Sequence, residues 1–481
     1  MLEVGLKWKN ALNVLYNSAK LQTAGTSRAD KIWGGLNAPS ALIPIFGSHH
    51  FLFICSTLQM GRFHGLIGIA LILFIAWLFS NNKKRINPRV VISGILLQVV
   101  IGVLVLKVDF ITAFFQKLGH GMQKIEEFAK AGANFVYGGI ATIGFDGQPA
   151  NYNAPGMFVF AFNVVATIIL VCVIVAVLYH LKVMQRLVSI IAKGMNFIMR
   201  VSGAEALSNV ASAFVGQVEA QVMIRPYLAG MTRSELLASM SGSLACIAGG
   251  ILVVYANMGA KAGLDLAPKL ITASLMAAPG ALVIAKIVYP ETEESQTMGK
   301  VKLEVKSQYS NLIDAISHGA SDGMKIGVNV IAMLIGFIAL IALVDYLLLK
   351  GGHLFNPDFD LSLNYVFGKL FTPFAWSMGI PNEDVANAAT LLGQKLTVNE
   401  FVAFNNLTTK AVPLVTEKGL LIVSIAICGF ANFSSVGMQI GGIGELAPTR
   451  RADLAQLGMR ALLCGTLASY LSASIAGIIM G

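Results

Sequence analysis

Apolar positions run in long blocks along this chain, separated by short clusters of glycine, proline and charge. A helix needs about 20 apolar residues to cross the hydrocarbon layer of a bilayer. Blocks that meet or approach this length lie at 66–80, 90–106, 156–179, 236–258, 270–288, 326–344, 419–440 and 457–480, so the pattern predicts eight spans. Thr232 with Glu235 three residues on is a capping-box pattern and marks a helix start before the fourth block. Residues 109–130 follow another rule. Phe110, Phe114, Leu118, Met122 and Ile125 fall on one helical face, and Gln116, Lys117, Gln123, Lys124, Glu126 and Glu127 on the other. Such a helix lies along the membrane interface or packs on protein outside the membrane; the pattern leaves both open.

Composition strengthens this reading. The chain is 56% hydrophobic and only 12% charged, with a mean hydropathy of +0.71. A soluble domain carries about 25% charged residues, so lipid must cover much of this surface. The net charge of +10 does not point to nucleic acid, because the basic residues are scattered through short loops. Lys83, Lys84, Arg85 and Arg89 form one group, and Lys182, Arg186, Lys193, Arg200, Arg225 and Arg233 a second. Lys300, Lys302 and Lys306, then Arg450 and Arg451, complete the set. Strict alternation of spans puts all of them on one side, which the positive-inside rule makes the cytoplasm. Both chain ends then lie outside. Cys55, Cys172, Cys246, Cys428 and Cys464 sit in apolar stretches without C-x-x-C spacing and read as packing residues. The histidines, His49 and His50 included, form no metal-ligand set, and no cofactor is expected. Residues 1–59 fit no element; the expectation is an atypical extension upstream of a true start at Met60, or an extracellular tail.

Two regions are too polar to span and too apolar to be ordinary loops: 203–230, and 381–407 with its exit reaching 411. Each is long enough to enter the membrane, turn and leave on the same side. Each carries an amide beside a carboxylate: Gln217 with Glu219, and Asn399 with Glu400. Each precedes a span interrupted by glycine and small polar residues, at 241–250 and 428–437. A hairpin plus a broken helix thus occurs twice with opposite topology, the layout of secondary transporters with inverted repeats. The implied organisation is scaffold at 60–155, a first repeat at 156–320 and a second at 321–481. A carboxylate at membrane depth costs about 2.5–3.5 kcal/mol on insertion scales. Glu219 and Glu400 therefore need partners. These are either basic residues such as Arg225, for packing alone, or a polar uncharged solute. Amides and carboxylates suit hydroxyls and ring N–H groups, whereas a phosphate would call for an arginine cluster. An intramembrane enzyme would need a nucleophile–base pair or metal set, and none is visible in the sequence.

At these residues the chain resembles the concentrative nucleoside transporter family. The matching strings are G-Q-x-E-A at 216–220, P-E-T-E at 290–293, N-E-F-V-A at 399–403, C-G-F-A-N-F-S-S at 428–435 and L-A-P-T-R-R at 446–451. The resemblance implies an all-α membrane protein with eight transmembrane helices, two oppositely oriented re-entrant hairpins and an interfacial helix. It implies a homotrimer that imports nucleosides with sodium or, in some members, protons. Gln217, Val218 and Glu219 would face the base, and Glu400, Asn432 and Ser435 the ribose, with Phe430 and Ile251 completing the site. The sequence departs from the family at two places in the first hairpin, where Val218 replaces a threonine and Gln221 a proline. The family's sodium site maps to the side chains of Ser212 and Cys246 and the carbonyls of Val215 and Ile247. A thiol is a poor ligand for a hard cation, so sodium coupling stands against proton coupling through Glu219 or Glu400. A carrier of nucleobases or another polar solute is the remaining alternative.

Overall fold

The computed structural model describes residues 64–137, 160–298, 309–355 and 360–480. The expectations for 1–59, Met60, His49, His50 and Cys55, and the basic group Lys300, Lys302 and Lys306, lie outside these residues. The described residues are helical, with no strand among them.

Helix α1 (His64–Leu78) and α2 (Pro88–Lys107) open the chain. Asn87 caps α2 by accepting from the Arg89 amide, and Pro88, which has no N–H to leave unpaired, takes the first position. The amphipathic helix α3 runs from Asp109 to Tyr137, past the expected end at 130. Helix α4 (Phe160–His180) is mostly apolar. The first hairpin is α6 (Gly203–Ser212), a turn, then the short α7 (Glu219–Val222) and α8 (Arg225–Leu228). Before it lies α5 (Val183–Met199). The fourth block is two helices, α9 (Arg233–Ala245) and α10 (Gly249–Lys261). Helix α11 is Ala267–Val288, and α12 is Leu312–Phe355. Short helices α13 (Leu363–Leu370) and α14 (Thr372–Ser377) lead to the second hairpin, α15 (Val385–Thr397) and α16 (Glu400–Thr408). Then come α17 (Glu417–Ile427), α18 (Phe433–Leu446) and α19 (Arg451–Met480). Helical segments therefore lie at all eight predicted spans, two of them broken.

Among the described residues, three stretches, α2, α11 and 448–480, are long and apolar enough to cross a membrane as single helices, while α1 and 165–180 are apolar but shorter. Helix α12 has 44 residues against the 19 predicted at 326–344. At 1.5 Å per residue it extends about 66 Å, roughly twice the hydrocarbon thickness. It packs along α4 through Gly319, Gly323 and Gly327, one turn apart. A Cβ on Gly323 would lie 2.6 Å from the Ile169 Cα, and one on Gly319 2.8 Å from the Val173 Cα. Only glycine lets the two backbones approach this closely, and such approach drives association where lipid gives no hydrophobic force.

Helix α5 went unpredicted because its basic residues read as loop. Its buried face is Met184, Val188, Ala192, Met195 and Met199, spaced three or four apart, while Arg186 and Lys193 point outward. Helices α13 and α14 were also missed. The capping box at Thr232 is present, and a second joins Ser202 to Glu205 at the start of α6.

Helices α11 and α19 form the buried centre, against which α2, α9 and α17 pack. Gln98 of α2 is fully buried and donates to the Met276 carbonyl at 3.0 Å. The P-E-T-E segment closes a buried polar cluster at the end of α11. There Lys286 Nζ meets Glu205 of α6 at 2.8 Å, Ser234 of α9 at 3.0 Å and Glu291 at 3.2 Å. One lysine thereby ties the first hairpin to the first broken helix and to α11.

Candidate functional site

The chain breaks twice where glycine and small polar residues interrupt an apolar block. Helix α9 ends at Ala245 and α10 resumes at Gly249; α17 ends at Ile427 and α18 resumes at Phe433. The two breaks cross each other. The Phe430 amide donates to the Cys246 carbonyl at 3.3 Å, and a Cβ on Gly429 would collide with the Ala245 carbonyl oxygen. The first hairpin joins this crossing through its turn, where the Phe214 carbonyl accepts from the Gly249 amide at 3.3 Å. Freed backbone groups are thus partly satisfied between breaks, which makes irregular backbone tolerable at membrane depth.

The second hairpin meets the crossing through two asparagine caps. Asn399 caps α16 by accepting from the Val402 amide at 2.9 Å, and Asn432 caps α18 by accepting from the Ser435 amide at 2.8 Å. Asparagine is among the best N-caps because its short side chain folds back on the first turn. Asn432 keeps its amide free to donate to Glu400 Oε2 at 2.9 Å. The Tyr255 hydroxyl, from α10, donates to Glu400 Oε1 at 3.2 Å. Glu400 therefore sits in the first turn of α16, where the helix dipole favours an anion, and is held from α10 and from the start of α18. Glu219 opens α7. It folds over Gly216, where a Cβ would occupy its place.

These groups converge on one cavity of about 490 Å³, a size suited to a small polar organic molecule. Gln217, Val218, Glu219, Ile251, Glu400, Phe430, Asn432 and Ser435, all eight of the expected solute residues, line it. Gln217 accepts from Gln439 Nε2 at 3.4 Å, and the Val218 side chain packs on Gly442 of α18. Among the described residues no ion pair joins Glu219 to Arg225, which is exposed, so the packing-only explanation fails for that pair.

Of the expected ion ligands, Val215 lines the cavity, while Ser212, Cys246 and Ile247 are buried in the protein. The Ser212 hydroxyl lies 2.8 Å from the Ser208 carbonyl and 2.9 Å from Ser243 Oγ. Gln221 enters the same network, donating to Ser243 at 2.8 Å and accepting from Ser239 at 2.6 Å. The polar residue in place of proline is thus fully paired. The Cys246 thiol lies 3.8 Å from the Ser274 carbonyl, a weak contact.

Sequence reasoning missed Tyr255, Tyr179, Tyr309, Asp322 and Met438, which also line the cavity. Tyr255 follows Ile251 by one helical turn, and Met438 follows Ser435 by three residues; that spacing was the available signal. Asp322 was overlooked because the predicted span began at 326.

Comparison with known proteins agrees with this architecture. The chain matches the family described as Na+ dependent nucleoside transporter C-terminus over residues 269–477 and its N-terminal counterpart over 67–140. Residues 161–262 match the Gate family, described as nucleoside recognition. It is 40% identical over 415 residues to the uncharacterized transporter YutK of Bacillus subtilis, covering 86% of this chain and 98% of that protein. It is 37% identical over 420 residues to the nucleoside permease NupC of Helicobacter pylori, covering 86% and 97%. A solved structure of CNTnw in an inward-facing substrate-bound state superposes with a TM-score of 0.80 at 38% identity, covering 88% of this chain and 98% of the other. The architecture, the crossed breaks and these likenesses agree: the chain belongs to the concentrative nucleoside transporter family.

Proposed function

We propose that this multi-pass plasma-membrane protein imports nucleosides by symport with a cation, and that the cavity between its two hairpins is the solute site. One observation carries the reading: the base-side pair Gln217 and Glu219 and the ribose-side trio Glu400, Asn432 and Ser435 line the same 490 Å³ cavity. The acceptors of Glu400 match a pair of ribose hydroxyls, and the amide and carboxylate of the first hairpin match a base edge. Val218 removes a hydroxyl from the base side and leaves an apolar contact there. No bond is made or broken, so the chain is a carrier, not an enzyme. An ion binds near the first hairpin tip and orders it. The solute then completes its hydrogen bonds, and the loaded core opens inward. Sodium, held by Ser212 and the carbonyls of Val215 and Ile247 beside Cys246, is the first candidate for that ion, and the proton the second. The working assembly is the homotrimer that the family implies.

The test is uptake of labelled uridine and adenosine into proteoliposomes under imposed sodium or proton gradients. Accumulation of at least one nucleoside under one gradient is expected. Failure of both under both gradients overturns the reading, and competition by free bases as strong as by nucleosides moves the substrate to nucleobases. Glu400→Ala and Asn432→Ala should abolish uptake while the protein still reaches the membrane, since each orphaned buried polar group costs about 1–3 kcal/mol. Undiminished uptake by either variant removes the ribose assignment.

A further inference from the structure

Gln439 sits on α18 and is fully buried, behind the first hairpin rather than in the cavity wall. Its Nε2 donates to the Met240 carbonyl of α9 at 3.2 Å and to Gln217 Oε1 at 3.4 Å. These two bonds use both of its hydrogens. A backbone carbonyl can only accept, so the Met240 carbonyl settles which way the Gln439 amide points. Turned over, that amide would set its oxygen against two others. Its own Oε1 is buried with no hydrogen bond among the described residues, so its NH2 group is what holds the amide in place. The Gln217 amide is oriented in turn, with its oxygen toward Gln439. The Gln217 Nε2 lies 3.9 Å from the Met438 Sδ, a weak acceptor, and both residues line the cavity. The same face of α18 seats the next hairpin residue. Gly442, three residues on from Gln439, receives the Val218 side chain.

We infer that Gln439 is a positioning residue that turns the Gln217 oxygen inward and its NH2 group toward the cavity, so that the first hairpin selects a base with a hydrogen-bond acceptor next to a donor. The inference deepens the proposed function and rests on its solute site. A glutamine amide free to turn offers a donor in one orientation and an acceptor in the other, and its two ends are nearly the same size. A solute would then have to fix the amide itself, and a base of the opposite pattern would fit as well. The relay from the Met240 carbonyl through Gln439 to Gln217 settles the choice before the solute arrives, which is preorganisation. The hairpin then presents the NH2 of Gln217 together with the oxygens of Glu219. The complementary base carries a carbonyl or bare ring nitrogen next to an N–H group, as uracil and adenine do.

The experiment measures binding of uridine, 2-thiouridine and 4-thiouridine to purified full-length protein by calorimetry. Each analogue exchanges one carbonyl oxygen for sulfur, a weak acceptor, and keeps the ring N–H between the two positions. Wild type should bind one of the two analogues about three- to tenfold more weakly than uridine, the worth of one hydrogen bond. Gln439→Met, similar in size but without a donor, should weaken uridine by about that factor and the affected analogue less, so that the gap closes. Gln439→Glu, where Gln439→Met does not fold, decides by the same gap. In its neutral form it donates to the Met240 carbonyl and accepts from the Gln217 NH2, which turns the Gln217 oxygen to the cavity. A folded variant of either kind that keeps the wild-type gap overturns the inference, even where all three ligands weaken together, because that is the mark of a purely structural role. Wild type that binds all three ligands alike overturns it too. If wild type binds adenosine and not uridine, 1-deazaadenosine, which lacks the ring acceptor beside the amino group, replaces the thio analogues in the same comparison. Absence of binding of both nucleosides by wild type instead marks failure of the solute-site reading.

Discussion

Glu400 receives two donors, Tyr255 at 3.2 Å and Asn432 at 2.9 Å. The two donors differ in what their loss should do. Asn432 also caps α18, so its removal disturbs a helix start as well as the carboxylate. Tyr255 contributes a single hydroxyl, and its ring stacks on Phe404 with centroids 4.5 Å apart. Tyr255→Phe keeps that stack and orphans one acceptor. It should weaken nucleoside binding about three- to tenfold, the worth of roughly 0.5–1.5 kcal/mol for one hydrogen bond, with no change in the amount of folded protein. Calorimetry on the two proteins checks this, and equal affinities would remove Tyr255 from the site's support. The amide–carboxylate pairs were legible in the sequence because charge at membrane depth is rare. Tyr255 was not, because a tyrosine in an apolar helix is ordinary until its hydroxyl is seen to have a target.

Helix breaks were legible for a similar reason. Runs of glycine and small polar residues cannot continue an apolar span without leaving backbone groups exposed, so 241–250 and 428–437 marked themselves. Their mutual crossing was not legible, since nothing in either string says that Cys246 will accept from Phe430. Helix α5 was hidden because its basic residues masked a buried stripe, and the extra length of α12 because its first turns are polar. The crossing makes a sharp demand on one position. Gly429 abuts the Ala245 carbonyl, which is backbone and cannot swing aside, whereas Gly437 has open space where a Cβ would go. Gly429→Ala should therefore force the two broken helices apart, lowering the melting temperature and eliminating uptake. Gly437→Ala should fold normally and gain up to about 1 kcal/mol from helix propensity. Thermal shift assays of the two variants side by side test the crossing, and indistinguishable melting curves would contradict it.

At the scale of the molecule, what matters is how an ion gradient reaches the solute. The first hairpin turn carries Val215 and Glu219 toward the cavity, while Ser212 and Cys246 lie just behind it. A cation bound at that turn would bridge α6 to the break between α9 and α10 and so fix the side of the cavity that meets the base. Two features of this chain weaken such a site. Ser212 is already engaged by Ser208 and Ser243, and Cys246 offers sulfur where a hard cation prefers oxygen. Cys246→Ser supplies that oxygen with almost no change in shape. With sodium as the coupling ion, the substitution should lower the sodium concentration for half-maximal uptake by roughly fivefold, equivalent to about 1 kcal/mol of ion binding, and leave the response to a proton gradient unchanged. Flux measured against sodium concentration in proteoliposomes gives the answer. If uptake ignores sodium both before and after the substitution, Ser212, Val215, Cys246 and Ile247 fall out of the ion path. The gradient must then act through a protonated group, for which the cavity offers the carboxyls of Glu219 and Glu400.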